Sequence, residues 1–162
     1  MLHSILRLLL EEEVSIRNLP LILEATAEAR GLYTASEAVC EHVRQRLGFQ
    51  IIAKLLRGDG MLPLIQLAQE WEDAFSAHQV DTDRGGMNVA LPPDLFNKLA
   101  ASIAEEGSKA ADNGQHPAIV TTSRRRRFIR TVMFAKGITN PVLSFEEIGV
   151  EARPALVGVV AA

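Results

Sequence analysis

Apolar residues recur with helical spacing in the first third of the chain and in shorter runs beyond it, with the change of period near residue 60. Leu2, Ile5, Leu6 and Leu9 fall at i, i+3, i+4 and i+7, which predicts a helix from the first residues onward. No capping residue precedes it, the pattern expected of a chain cut from something longer. Val14, Ser15 and Ile16 predict a brief extended link. Asn18 is placed to cap a second helix with Pro20 in its first turn, Leu19, Ile22, Leu23, Thr26 and Ala27 on one face, and Gly31 as its stop. Thr34-Ala35-Ser36-Glu37 reads as a capping box, in which hydroxyl and carboxylate would each satisfy an orphan backbone N–H. The helix it opens carries Ala38, Val39, His42, Val43 and Leu47, and its stripe resumes at Ile51, Ile52, Leu55 and Leu56 before Gly58 and Gly60.

From Met61 the runs shorten. Leu62, Leu64 and Ile65 to Leu67 predict a strand, and Trp71 and Phe75 a helix over about 70–77. The stretch His78 to Asn88 reads as a loop, Val89 to Leu91 as a strand, and Pro92-Pro93-Asp94 as the start of a helix with Leu95, Leu99 and Ile103 that Asn113-Gly114 stops. Ala118 to Thr121 predicts a buried strand, Thr122 a cap, and Phe128, Ile129, Val132 and Met133 the face of a helix ending near Gly137. Val142 to Ser144 and Leu156 to Val160 are the last strand candidates. The expected fold class is therefore α+β (mixed): a helical subdomain over residues 1–60, then an α/β subdomain over residues 61–162 with a small sheet covered by helices.

Composition narrows the function classes without choosing one. Hydrophobic residues are 48% and charged residues 23% of 162, near globular averages, so neither disorder nor a disulfide scaffold is expected. A net charge of -3 gives no field that argues for nucleic acid. Cys40 is the single cysteine, so an intrachain disulfide is excluded and a cysteine-based metal site lacks ligands. No apolar run approaches the roughly 18 residues of a membrane span, and Glu11, Glu12 and Glu13 interrupt the longest early cluster.

Candidate chemistry is sparse. Cys40 and His42 are two apart and diverge on a helix, so they read as a small core residue and a half-buried imidazole, not as nucleophile and base. His78, Asp81 and Asp83 sit in a polar stretch and define the rival reading, a small metal-dependent enzyme; a solvated loop explains them without metal. Arg124, Arg125, Arg126 and Arg127, with Arg130, form the one strong charge anomaly, because cations in a first helical turn oppose the macrodipole and call for acidic partners. Those partners are expected at Glu146, Glu147 and Glu151, or on a docking protein. Glu11, Glu12 and Glu13 stand at the unfavourable end of the first helix and are candidate contacts for a neighbouring subunit, with Arg17 a candidate for bracing that helix end. No nucleotide-binding, zinc or serine-nucleophile motif occurs, and no catalytic, cofactor-binding or metal residue is assigned.

Several stretches carry a family resemblance. LLLEEEVSIRNLPLILEA resembles the segment LLxExVSIRDLxxILEA of the FlhA family, the large export-gate subunit of flagellar and virulence type III secretion systems. EHVRQRLGFQI resembles that family's next helix, NPVLSFEEIG its VLSxxEI segment, and Arg126 and Arg130 match two arginines of its spxxRxxxR helix. The matches run in order from Leu9 to about Val159. Asn18 stands where the family usually has aspartate, and the arginine run and the Val80 to Asn88 stretch depart from its pattern. The resemblance implies the distal end of the cytosolic half of a ring-forming subunit at the cytoplasmic face of the bacterial inner membrane, attached to the membrane only through an N-terminal part outside this chain. It implies no enzyme and no cofactor. Its implied partners are export chaperone–substrate complexes, other export-apparatus proteins and copies of itself. A free-standing adaptor that borrowed the domain is the other alternative.

Overall fold

The computed structural model describes residues 1–81, 87–150 and 152–162. The chain divides into two compact units: Met1–Lys54 with Glu146–Glu151, and Leu55–Phe145 with Ala152–Ala162.

The first unit is helical, with α1 (Leu2–Glu11), α2 (Leu19–Arg30), α3 (Ser36–Arg46) and α4 (Gly48–Ala53). Ile5, Leu9, Ile22, Ala25, Val39, Val43 and Leu47 form its core, each with no residual exposure. Helix α1 ends where Glu13 adopts a left-handed φ of 59°. The Val14 N–H then reaches Leu9 O at 3.0 Å and the Glu13 N–H reaches Leu10 O at 3.0 Å, a Schellman closure that buries Val14.

Helix α2 begins after Asn18 as expected, but the Asn18 side chain makes no capping bond. Its buried stripe is Ile22, Ala25, Thr26 and Ala29, whereas Leu19 and Leu23 are exposed. The inward face is thus turned from the one the leucines indicated. Alanines there let α2 pack closely on α3, and the Thr26 hydroxyl donates to Ile22 O at 2.7 Å, which satisfies it away from water.

The capping box does not form. Helix α3 starts one residue later than it requires, with Ala35 at the N-cap and no side-chain capping bond. The stripe read as one helix through Leu56 is broken at Leu47, whose ψ of 5° separates α3 from α4. A local cause is visible: a Cβ on Gly48 would lie 2.2 Å from the Glu147 carbonyl oxygen, so α4 starts at the one residue type that admits this backbone.

The second unit holds a four-stranded sheet with α5 (Gln69–Ala77), α6 (Pro93–Asp112) and α7 (Ser123–Ala135). Its strands in this sheet are β1 (Met61–Leu67), β4 (Ala118–Thr121), β5 (Val142–Ser144) and β6 (Arg153–Val160), in the order β5-β4-β1-β6, all parallel. Strands β4 and β5 are buried at every position, as expected of parallel strands covered on both faces. Trp71, Phe75, Leu99, Ile103, Ile129 and Met133 pack on the sheet residues Ile65 and Ile119. The stretch read as a loop contains β2 (Gln79–Asp81) and β3 (Met87–Val89), an antiparallel pair, so the strand expected at Val89 to Leu91 begins and ends earlier. Its polar composition hid the alternation that marks a strand. Thr122 does occupy the N-cap of α7, yet its buried hydroxyl has no hydrogen-bond partner.

Candidate functional site

In the helical unit, three chain segments meet at one guanidinium. Arg44, on the inner face of α3, donates through Nε to Glu147 Oε1 at 2.7 Å and through Nη2 to Glu147 Oε2 at 3.3 Å. Its Nη1 lies 3.5 Å from Glu12 Oε2 at the end of α1. The side chains are 4% exposed for Arg44, 0% for Glu147 and 13% for Glu12, so this is an interior cluster. The planar fork of arginine fits it, because one edge can hold a carboxylate bidentately while the remaining nitrogen serves a second acid. Gln50 Nε2 adds a bond to Ser15 O at 2.9 Å, which ties α4 to the link after α1.

The acidic triplet therefore divides. Glu12 belongs to the cluster, Glu11 makes an exposed pair with Arg7 at 3.7 Å, and Glu13 is exposed at the left-handed turn. Arg17 does not brace the helix end: its side chain is exposed and its backbone N–H meets Ser15 Oγ at 3.3 Å. Arg44 does that work instead. Each of the three stretches quoted above for the resemblance supplies one member, Glu12, Arg44 and Glu147, and that coincidence was the only signal in the sequence for the cluster.

The arginine run is likewise mostly interior. Arg125 is 2% and Arg126 0% exposed. Arg125 donates to Glu72 Oε1 at 3.0 Å, to Gln79 Oε1 at 3.0 Å and to Ser76 Oγ at 3.3 Å, and Arg126 donates to Val142 O at 3.2 Å. Neither residue is a surface contact, because each is needed to satisfy polar groups inside its own unit. Glu72 is an acid that offsets the first turn of α7, through Arg125; of the expected trio, Glu147 also serves Arg44 and Glu151 lies outside the described residues. Arg124 is exposed and donates to Gln79 Oε1 at 3.2 Å, Arg127 is half-buried, and the Arg130 guanidinium sits 5.2 Å from the centre of the Phe134 ring.

Exposed charge networks complete the picture. Glu28 accepts hydrogen bonds from Arg46 and lies 3.1 Å from His42 Nε2, and these contacts hold its carboxyl below the ordinary 4.5. The Met61 N–H, and then Arg57, lower Asp59 in the same way. Glu105 and Glu106 raise Lys109. Cys40 is buried in the core. His78 is half-buried, its backbone paired with Ala74 and Ala90; Asp81 lies in β2, and Asp83 lies outside the described residues. Among the described residues, no group of three or more His, Cys, Asp or Glu is placed to hold a metal ion, and no helix is long and apolar enough to cross a membrane.

Comparison with known proteins assigns the family. The FHIPEP family model matches residues 1–153. The flagellar biosynthesis protein FlhA of Caulobacter vibrioides is 33% identical over 98% of this chain, which spans 22% of that relative. Among solved structures, the complex of Chlamydia pneumoniae CdsV and CdsO has a TM-score of 0.84 at 26% identity, covering 96% of this chain and 45% of that one. Nonameric EPEC SctV-C, at 23% identity, shares the fold with a TM-score of 0.83 over 96% of this chain and 46% of its own. The chain thus spans under a quarter of the curated relative and about half of the solved domains, and it belongs to the FHIPEP family of flagellar and type III export proteins.

Proposed function

We propose that this chain is the distal part of the cytoplasmic portion of an export-gate subunit, working by non-covalent contacts: the helical unit joins neighbouring copies into a ring, and the α/β unit presents surfaces to chaperone–substrate complexes and other export-apparatus proteins. The observation that carries this reading is the family match along residues 1–153. SctV-C was solved as a nonamer and CdsV in complex with CdsO, which supports both ring formation and partner docking for a chain of this fold. The exposed candidates for these contacts are Glu11, Glu13 and Arg17 on the helical unit and Arg124 on α7, with half-buried Arg127 and Arg130 beside it. A helical unit braced internally by Arg44 keeps a fixed outer surface, which a closed ring requires because every copy must repeat one contact geometry.

Charge reversal in the full-length protein tests this. Arg17→Glu is expected to weaken ring assembly in cells, measured by cross-linking and particle counting, and Arg17→Glu combined with Glu13→Arg to recover part of it if the two meet across the contact. Ring assembly unchanged by Arg17→Glu would remove Arg17 from the interface and count against this mode of assembly.

A further inference from the structure

The two edges of the parallel sheet are not alike. At one edge β5 is three residues long, buried throughout, and its Val142 carbonyl already accepts from Arg126 at 3.2 Å. At the other edge β6 is eight residues long and carries one charge, Arg153.

The phase of β6 follows from its bonds. Val160 O accepts from the Ala68 N–H at 2.9 Å, so residue 160 turns its peptide groups toward the β1 side. In a parallel ladder successive residues turn to opposite sides, which directs Gly158 inward and Val159 outward. Beyond the register shift at Leu64/Ile65, the same phase of β1 directs Leu156 and Pro154 outward. It also turns Pro63 away from β6, so both prolines fall where this ladder needs no N–H. Leu156 is 57% and Val159 45% exposed, and Pro154 is exposed too. Among the described residues, the outward peptide groups of these three have no backbone partner.

We infer that β6 is a docking edge for one extended segment of a partner polypeptide, which adds to the sheet as a further strand. The open row of N–H and C=O groups specifies a strand as occupant, and its backbone bonds would supply affinity with little dependence on sequence. Leu156 and Val159 favour apolar side chains at alternate positions, and exposed Arg153 favours an acidic residue at its end of the segment. A second copy of this chain fits less well. The β5 edge is blocked, which rules out head-to-tail continuation of the sheet, and β6 against β6 would bring two register shifts into one ladder. The inference goes beyond the ring reading and does not depend on it.

The test uses the whole 162-residue chain and a fluorescein-labelled peptide, Glu-Val-Thr-Val-Thr-Val-amide, with an alternate-amide N-methylated version as control. Expected are saturable binding by anisotropy, slowed hydrogen exchange at the Leu156 and Val159 amides, and binding about tenfold weaker for the N-methylated peptide. Val159→Pro removes one outward donor at a position where proline is tolerated, and should weaken binding about tenfold, whereas Val159→Thr stays within about twofold. Thermal melts of both variants check that they fold. Arg153→Glu should lose affinity for this peptide and regain it for one beginning with Lys. Equal binding of the N-methylated peptide, absence of binding, or self-association that Val159→Pro abolishes would each overturn the proposal.

Discussion

A guanidinium that is 4% exposed between two carboxylates is held by its partners, not by water, and that decides what its loss does. Removing one member of a buried charged set leaves the others desolvated and unpaired, which costs about 3–5 kcal/mol, more than the pair itself contributes over an apolar replacement. Arg44→Ala is therefore expected to lower stability by about 3–5 kcal/mol in urea titrations, and Arg44→Met with Glu147→Leu to recover most of that. A cost below about 1 kcal/mol for Arg44→Ala would mean that the cluster is hydrated in solution. Arg125 and Arg126 follow the same physics with different acceptors. Their sequence context, four consecutive arginines at a helix start, reads as a solvated patch because arginine is mostly exposed, and only the contacts from α5, β2 and β5 reverse that expectation.

Helix α4 tests the same logic at the scale of an element. Replacing glycine by alanine inside a helix ordinarily stabilises by up to about 1 kcal/mol. At Gly48 the added Cβ would lie 2.2 Å from Glu147 O and 3.1 Å from its carbonyl carbon, both backbone atoms that cannot swing aside. Gly48→Ala should thus destabilise by about 1–3 kcal/mol, the range for overpacking, whereas Gly31→Ala, whose Cβ meets nothing nearer than 3.7 Å, should lie within about 0.5 kcal/mol of the parent. Thermal melts of the two variants side by side separate steric conflict from propensity. Elements with a strong local period were legible: β4 and β5 fall where their apolar runs placed them, and α6 starts at its prolines and stops at Asn113. Capping was not. Thr34 and Glu37 sit at box spacing, but the helix start is set by packing of Val39 and Val43, and the Thr34 hydroxyl falls outside the first turn.

At the scale of the whole molecule, the site was hidden by sequence separation. Arg44 and Glu147 are 103 positions apart, and periodicity reports only neighbours along the chain. Each of the three motif stretches carries one member of the cluster, yet Arg17 lies far nearer the acidic triplet in sequence than Arg44 does. What acts on the molecule as a whole is titration of its exposed networks. Glu28 and Asp59 have carboxyls lowered by their partners, so each contributes stability that is present above its ordinary value and lost as pH falls through the lowered one. Arg46 and Lys109 are raised, so each contributes stability that is present below its ordinary value and lost as pH rises through the raised one. Both limbs lie outside the neutral range, so these four groups leave the melting temperature unchanged there, and Glu28 and Asp59 are expected to lower it as pH falls below about 4.5. Glu28, Asp59 and Lys109 are exposed and Arg46 is half-buried, and at about 1 M salt the screening length shrinks to about 3 Å. Salt should then reduce the part of the acid limb that Glu28→Gln and Asp59→Asn also reduce. An acid limb indifferent to both salt and the two substitutions would show that Glu28 and Asp59 do not set it.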